Sequence, residues 1–87
     1  MDTNDKLTLL TEECAEVIQA ATKCIRFTWE YNHPGYGVNH EVLAREVGDL
    51  LGVIDSLSLD QEIVKQYRSR KMEKAERLFE LYSSKPN

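Results

Sequence analysis

From Thr8 to Glu30 the chain contains no glycine or proline, and its apolar and small residues recur at helical spacing. Leu10, Cys14, Val17, Ala21, Cys24 and Thr28 follow one another at three- and four-residue steps, with Ile18 and Ile25 widening the stripe. That period belongs to a helix with one buried face, so the segment predicts helix one over residues 8–30. Asp5, Thr8 and Thr11 are each possible caps, and Glu12 and Glu13 suit the first turn after Thr11.

The stripe stops at Tyr31–Val38, where Pro34-Gly35 and Gly37 predict a loop. Pro34 also drives His33 away from helical angles. A second stripe, Leu43, Val47, Leu50, Ile54 and Leu57, predicts helix two over residues 39–58, with Asn39 as a suitable cap. Gly48 and Gly52 lie on the other side of that helix. They either admit a closely packed neighbour or are simply tolerated at the surface, at about 1 kcal/mol each relative to alanine. Ser58-Leu59-Asp60 forms a turn, and Ile63, Tyr67, Leu78, Leu81 and Tyr82 mark helix three over residues 60–82. The polar end, Ser83–Asn87, contains Pro86 and is expected to fray. The fold class is therefore all-α, a single domain over residues 1–87.

Size limits such a fold. With 87 residues, the chain buries a small share of its surface alone, so an antiparallel helical bundle is expected to be completed by oligomerisation. No apolar run approaches the ~20 residues of a membrane span, and the polar start does not resemble a signal peptide, so a cytoplasmic protein is expected. The net charge of -4 argues against binding a nucleic-acid polymer through its backbone, yet leaves room for a phosphate ligand held through a cation. Cys14 and Cys24 stand ten residues apart on one helix, about 15 Å along its axis. That is too far for a bridge within the chain, and the plain expectation is free thiols.

The chemistry-bearing residues lie at the edges of the two stripes. At 100° per residue, Glu16 sits about 60° to one side of Glu13, and Asp49 bears the same relation to Glu46. Two antiparallel helices can therefore point four carboxylates at one spot. Clustered carboxylates raise one another's pKa unless a cation compensates, and Mg²⁺, a hard ion that takes oxygen ligands and keeps waters, fits best. The alternative is that such pairs lie on ordinary solvated helix faces.

Glu12-Glu13-Cys14-Ala15-Glu16, followed by Glu46-Val47-Gly48-Asp49, resembles the EExxE and ExxD pair of the MazG-like all-alpha nucleoside triphosphate pyrophosphatases. The flanks EECAEVIQAATK and EVGDLLGVID agree, and the resemblance runs from about Leu7 to Tyr82. It implies a helical bundle completed as a homodimer or homotetramer. It also implies a hydrolase that cuts the α–β phosphoanhydride of a (d)NTP to give a (d)NMP and pyrophosphate. By the same resemblance Glu13, Glu16, Glu46 and Asp49 hold Mg²⁺, with Mn²⁺ as a substitute, and Glu12 holds a further metal or orients the water. Relatives that cleave phosphoribosyl-ATP carry the same motif, and a non-catalytic oligomeric helical regulator is the alternative of another class. In the last helix this chain reads Lys71-Met72-Glu73-Lys74, where many members carry a Lys-x-x-Asn-like stretch.

Substrate contacts are expected from positive and aromatic residues. Lys23 lies on the Glu12/Glu16 side of helix one with Arg26 close by, and it meets either a phosphate or a neighbouring glutamate. Lys74, near Lys71 and Arg70 on the apolar side of helix three, binds phosphate, snorkels from the seam or forms an ion pair. Trp29, with Phe27, Tyr31 and Tyr36, offers a surface for a base or closes a small core. The catalytic set is thus Glu12, Glu13, Glu16, Glu46 and Asp49. The expected substrate-binding set is Lys23, Arg26, Trp29, Lys71 and Lys74.

Overall fold

The computed structural model describes residues 1–83 and is mostly helical. Three helices, α1 (Thr3–Phe27), α2 (Asn39–Ser56) and α3 (Gln61–Ser83), are joined by a short ribbon, β1 (Asn32–His33) and β2 (Gly37–Val38), and by a tight turn.

Helix α1 begins five residues before the expected start. Its cap is Asp2, not Asp5, Thr8 or Thr11. The Asp2 carboxylate accepts from the Asp5 N–H at 2.8 Å, and Asp5 accepts in return from the Asp2 N–H at 3.3 Å, a reciprocal capping box. The helix ends at Phe27 rather than Glu30, because Thr28 adopts φ 104° while its N–H still donates to the Cys24 carbonyl at 3.1 Å. A threonine in that region is strained, and persists only when its surroundings hold it. Here the Asn39 side chain holds it, donating to the Thr28 carbonyl at 2.8 Å and to the Lys23 carbonyl at 3.3 Å. Asn39 is therefore not the cap of α2. It is 2 % exposed and closes the end of α1, while Val38 occupies the cap position without a side-chain bond. The first N–H groups of α2 go instead to loop carbonyls, Asn39 to Tyr31 at 2.9 Å and His40 to Trp29 at 3.1 Å.

Between the helices, the expected loop contains an antiparallel ribbon pairing Asn32 with Val38 and His33 with Gly37. Its turn carries Pro34 and then Gly35 at φ 85°, closed by the Tyr36 N–H on the His33 carbonyl at 3.0 Å, the pattern of a type II turn. Arg45 of α2 donates to the Tyr36 carbonyl at 2.8 Å and ties the turn to the helix.

Helices α1 and α2 run antiparallel. Lys6, at the start of α1, donates to the Ser56 carbonyl at the end of α2 at 3.1 Å, and Asn39 makes the matching link at the other end. Their seam buries Ala20 to 5 % exposure and half-buries Leu10, Val17, Leu43, Leu50 and Ile54. Helix α3 is capped by Asp60, whose carboxylate accepts from the Glu62 and Ile63 N–H groups at 3.0 and 3.2 Å. It then runs away from the hairpin without extended packing on it, and every described residue of it except Val64 and Ala75 is exposed. The radius of gyration is 16.0 Å, against about 12 Å for a compact domain of this length. No described helix is long and apolar enough to cross a membrane.

Candidate metal centre

The seam that packs α1 on α2 fixes where their carboxylates go. Glu13 lies beside the buried line of Ala20 and Val17, and Glu46 and Asp49 lie beside Leu43 and Leu50 on the facing helix. Ligand oxygens of Glu13, Glu46 and Asp49 accordingly fall within 4.8 Å of one another. The electrostatic consequence shows at Glu13, whose pKa is raised above its ordinary value. Its partial burial is the first cause, and the carboxylates of Asp49, Glu46, Glu16 and Glu12 add to it.

An all-oxygen donor set of this kind fits a hard divalent ion. The oxygens lie no more than 4.8 Å apart, and two oxygens on one Mg²⁺ lie at most about twice the ~2.1 Å Mg–O bond apart, so the spacing is of the order a shared ion requires. Cys14 is half-buried on the same helix but is not part of the group. A softer metal gains nothing from this constellation.

Of the four expected ligands, three come together and the fourth stands next to them. Glu16 lines an adjoining hollow of about 130 Å³ together with Gln19, Ala20, Lys23, Tyr36, Val42 and Glu46. Glu46 thus belongs to both the carboxylate group and the hollow. Lys23 is one of the residues lining this space, and its ammonium sits 5.0 Å from the centre of the Tyr36 ring. Among the described residues it pairs with that ring, not with a glutamate. Gln19 and Val42 have no place in the expected site. Gln19 could have been found from spacing, since it stands three residues after Glu16 and four before Lys23. Val42 could not, because only the chain reversal brings it there.

The remaining expected residues divide by location. Glu12 is exposed, near enough to Glu13 to act on its charge. Arg26 lies over the Phe27 ring at 5.6 Å at the end of α1. Trp29 stacks on His40 with ring centres 5.6 Å apart. Phe27, Tyr31 and His33 form a second ring cluster, with His33 edge-on to both neighbours at 4.8 Å and its buried Nε2 without a hydrogen-bond partner. Lys71 and Lys74 lie on α3 beside Tyr67 and Arg70, and no extended packing joins that helix to the hairpin. Within one chain the structure does not bring them to the carboxylates.

No family model matches the chain, and neither a curated protein nor a solved structure does.

Proposed function

We propose that this chain is a Mg²⁺-dependent nucleoside triphosphate pyrophosphatase, hydrolysing a (d)NTP to a (d)NMP and pyrophosphate. The observation that carries this reading is the meeting of Glu13, Glu46 and Asp49 across two helices, next to a hollow that holds a lysine. The likeness of the EECAE and EVGD segments to the MazG-like motif pair supports it.

Glu13, Glu46 and Asp49 would hold the ion, with Glu16 at hand for a second. A divalent ion bound there supplies neutralisation of phosphate charge and a lowered pKa for water. The chain's own groups do the rest. Glu16 and Glu12 stand outside the close trio, and each has a carboxylate free to accept a proton from the attacking water. Lys23 places a positive charge over the hollow, where a phosphate can replace part of its contact with Tyr36. Trp29 and Tyr36, both exposed at the ribbon, offer flat apolar surface to a base. Lys71 and Lys74 can join this site only from a neighbouring copy.

The test is turnover of the common ribo- and deoxyribonucleoside triphosphates with Mg²⁺ or Mn²⁺, separating monophosphate plus pyrophosphate from orthophosphate. Paired products from at least one nucleotide, lost in Glu46→Ala and Asp49→Ala, are expected. Orthophosphate alone, or full turnover in both variants, refutes the proposal. Adding phosphoribosyl-ATP to the same panel identifies the alternative substrate.

A further inference from the structure

We infer that Arg45 is a positioning residue for the nucleotide: it holds the ribbon turn so that Tyr36 stands as a fixed wall of the hollow beside the carboxylates. The inference rests on the reading of this hollow and its carboxylates as a Mg²⁺-dependent nucleotide site. It gives a role to a residue outside both the catalytic and the substrate-binding sets expected from the sequence.

Tyr36 is gripped from both helices. Its carbonyl accepts from Arg45 Nη2 of α2 at 2.8 Å. Its ring lies 5.0 Å from the Lys23 ammonium of α1. The backbone also runs close against the guanidinium, since a Cβ on Gly37 would stand 3.2 Å from Arg45 Nη2. Glycine, which tolerates the φ of 107° there, leaves room for that approach. Among the described residues, no other hydrogen bond joins Pro34–Gly37 to either helix. The remaining bonds of the ribbon lie within it or at its base, where Asn39 and His40 donate to Tyr31 and Trp29.

The choice of partner shows what Arg45 is used for. Glu41 and Asp49 stand four residues to either side of it on α2, the spacing at which an arginine ordinarily pairs with a carboxylate. Among the described residues it pairs with neither and donates to the turn instead. Arg45 shares one side of α2 with Val42, Glu46 and Asp49, the four positions falling within about 100° of the wheel. It therefore ties the turn to the helix face that carries two of the metal ligands and one wall of the hollow. Tyr36 is 66 % exposed, so burial does little to fix it. A side chain that must be ordered on binding weakens affinity by roughly two- to ten-fold. Held in advance by Arg45, Tyr36 meets a ligand without that loss.

The native chain is compared with Arg45→Ala and Arg45→Lys in three measurements. NMR relaxation gives backbone order parameters at Gly35, Tyr36 and Gly37. Calorimetry gives the affinity for α,β-imido analogues of the common dNTPs with Mg²⁺. Steady-state turnover gives kcat and KM. In Arg45→Ala the order parameters of the turn are expected to fall from about 0.85 to below about 0.6, with those of α1 and α2 unchanged. The dissociation constant and KM are expected to rise together by roughly two- to ten-fold, while kcat holds because the carboxylates stay in place. Arg45→Lys keeps a donor for the same carbonyl and restores part of both effects. Weaker binding with an unmoved turn would mean that the charge of Arg45 acts at a distance, and order lost throughout the helices would mean a general structural role. Either result overturns the inference, as does an unchanged dissociation constant. A native chain that binds an analogue but turns over no nucleotide refutes the hydrolytic reading alone, and binding and order parameters still decide the role of Arg45. A native chain that binds no analogue overturns both.

Discussion

Glu13 concentrates the electrostatic tension of the molecule in one carboxyl group. Its pKa lies above the ordinary 4.5, through partial burial first and then the charges of Asp49, Glu46, Glu16 and Glu12. The folded state therefore keeps a proton over a pH window in which the unfolded chain has already lost it. The sign follows from linkage. This contribution to stability is fully present below the ordinary value and is lost as pH rises through the raised one. Metal-free protein is thus expected to lose stability on passing upward through the weakly acidic range. Glu13→Gln should flatten that slope, and Mg²⁺ should offset the loss by binding the deprotonated group. Urea denaturation at a series of pH values, with and without Mg²⁺, measures all three. A native slope that Glu13→Gln leaves unchanged would show that the neighbouring carboxylates do not act on this residue.

At the scale of elements, what decides each boundary is whether its cause is local. The apolar stripes of all three helices are legible because a 3.6-residue period is written into the chain itself. The approach of Glu13 to Glu46 and Asp49 is legible for the same reason, since their wheel positions follow from the stripes. The ends were harder. Asp2 and Asp5 form a reciprocal cap in which aspartate takes the place usually held by glutamate, within a stretch that reads simply as polar. The end of α1 is set from outside it, by Asn39, which is eleven residues beyond Thr28. Strands of two residues are too short to show alternation, so the ribbon reads as loop. The Asn39 side chain is therefore the residue on which the geometry of the helix junction depends. Asn39→Ala leaves the Thr28 and Lys23 carbonyls without that donor and should cost about 1–3 kcal/mol. Asn39→Asp should cost more, because it sets a carboxylate oxygen against carbonyl oxygens where an N–H donor stood. Chemical denaturation should show the midpoint falling in the order Asn, Ala, Asp. An unchanged midpoint in Asn39→Ala would mean that Thr28 is held by some other means.

At the scale of the whole molecule, a sequence of this length announces that its own core is small, but not where the missing core lies. The wheels place the apolar stripes and leave open what each one faces. Only the folded chain shows that α3 leaves the hairpin and that both present apolar surface. The same separation leaves Lys71 and Lys74 away from the carboxylates, although their place on the helix was readable. On the proposed function, metal, substrate and fold form one linked equilibrium. A ligand that binds only the folded state at 100 times its dissociation constant stabilises it by about 2.7 kcal/mol. For a domain of this size each kcal/mol moves the melting temperature by roughly 4–8 °C, so a rise on the order of 10 °C is expected. The carboxylates repel a nucleotide unless an ion lies between them, so neither Mg²⁺ nor a non-hydrolysable dNTP analogue should give that rise alone. Thermal melts with each addition separately and with both together measure it at constant protein concentration. A shift that requires both additions is what a metal-dependent nucleotide site produces. Superimposable curves across the series would leave the acidic trio as a solvated surface and favour a helical interaction protein instead.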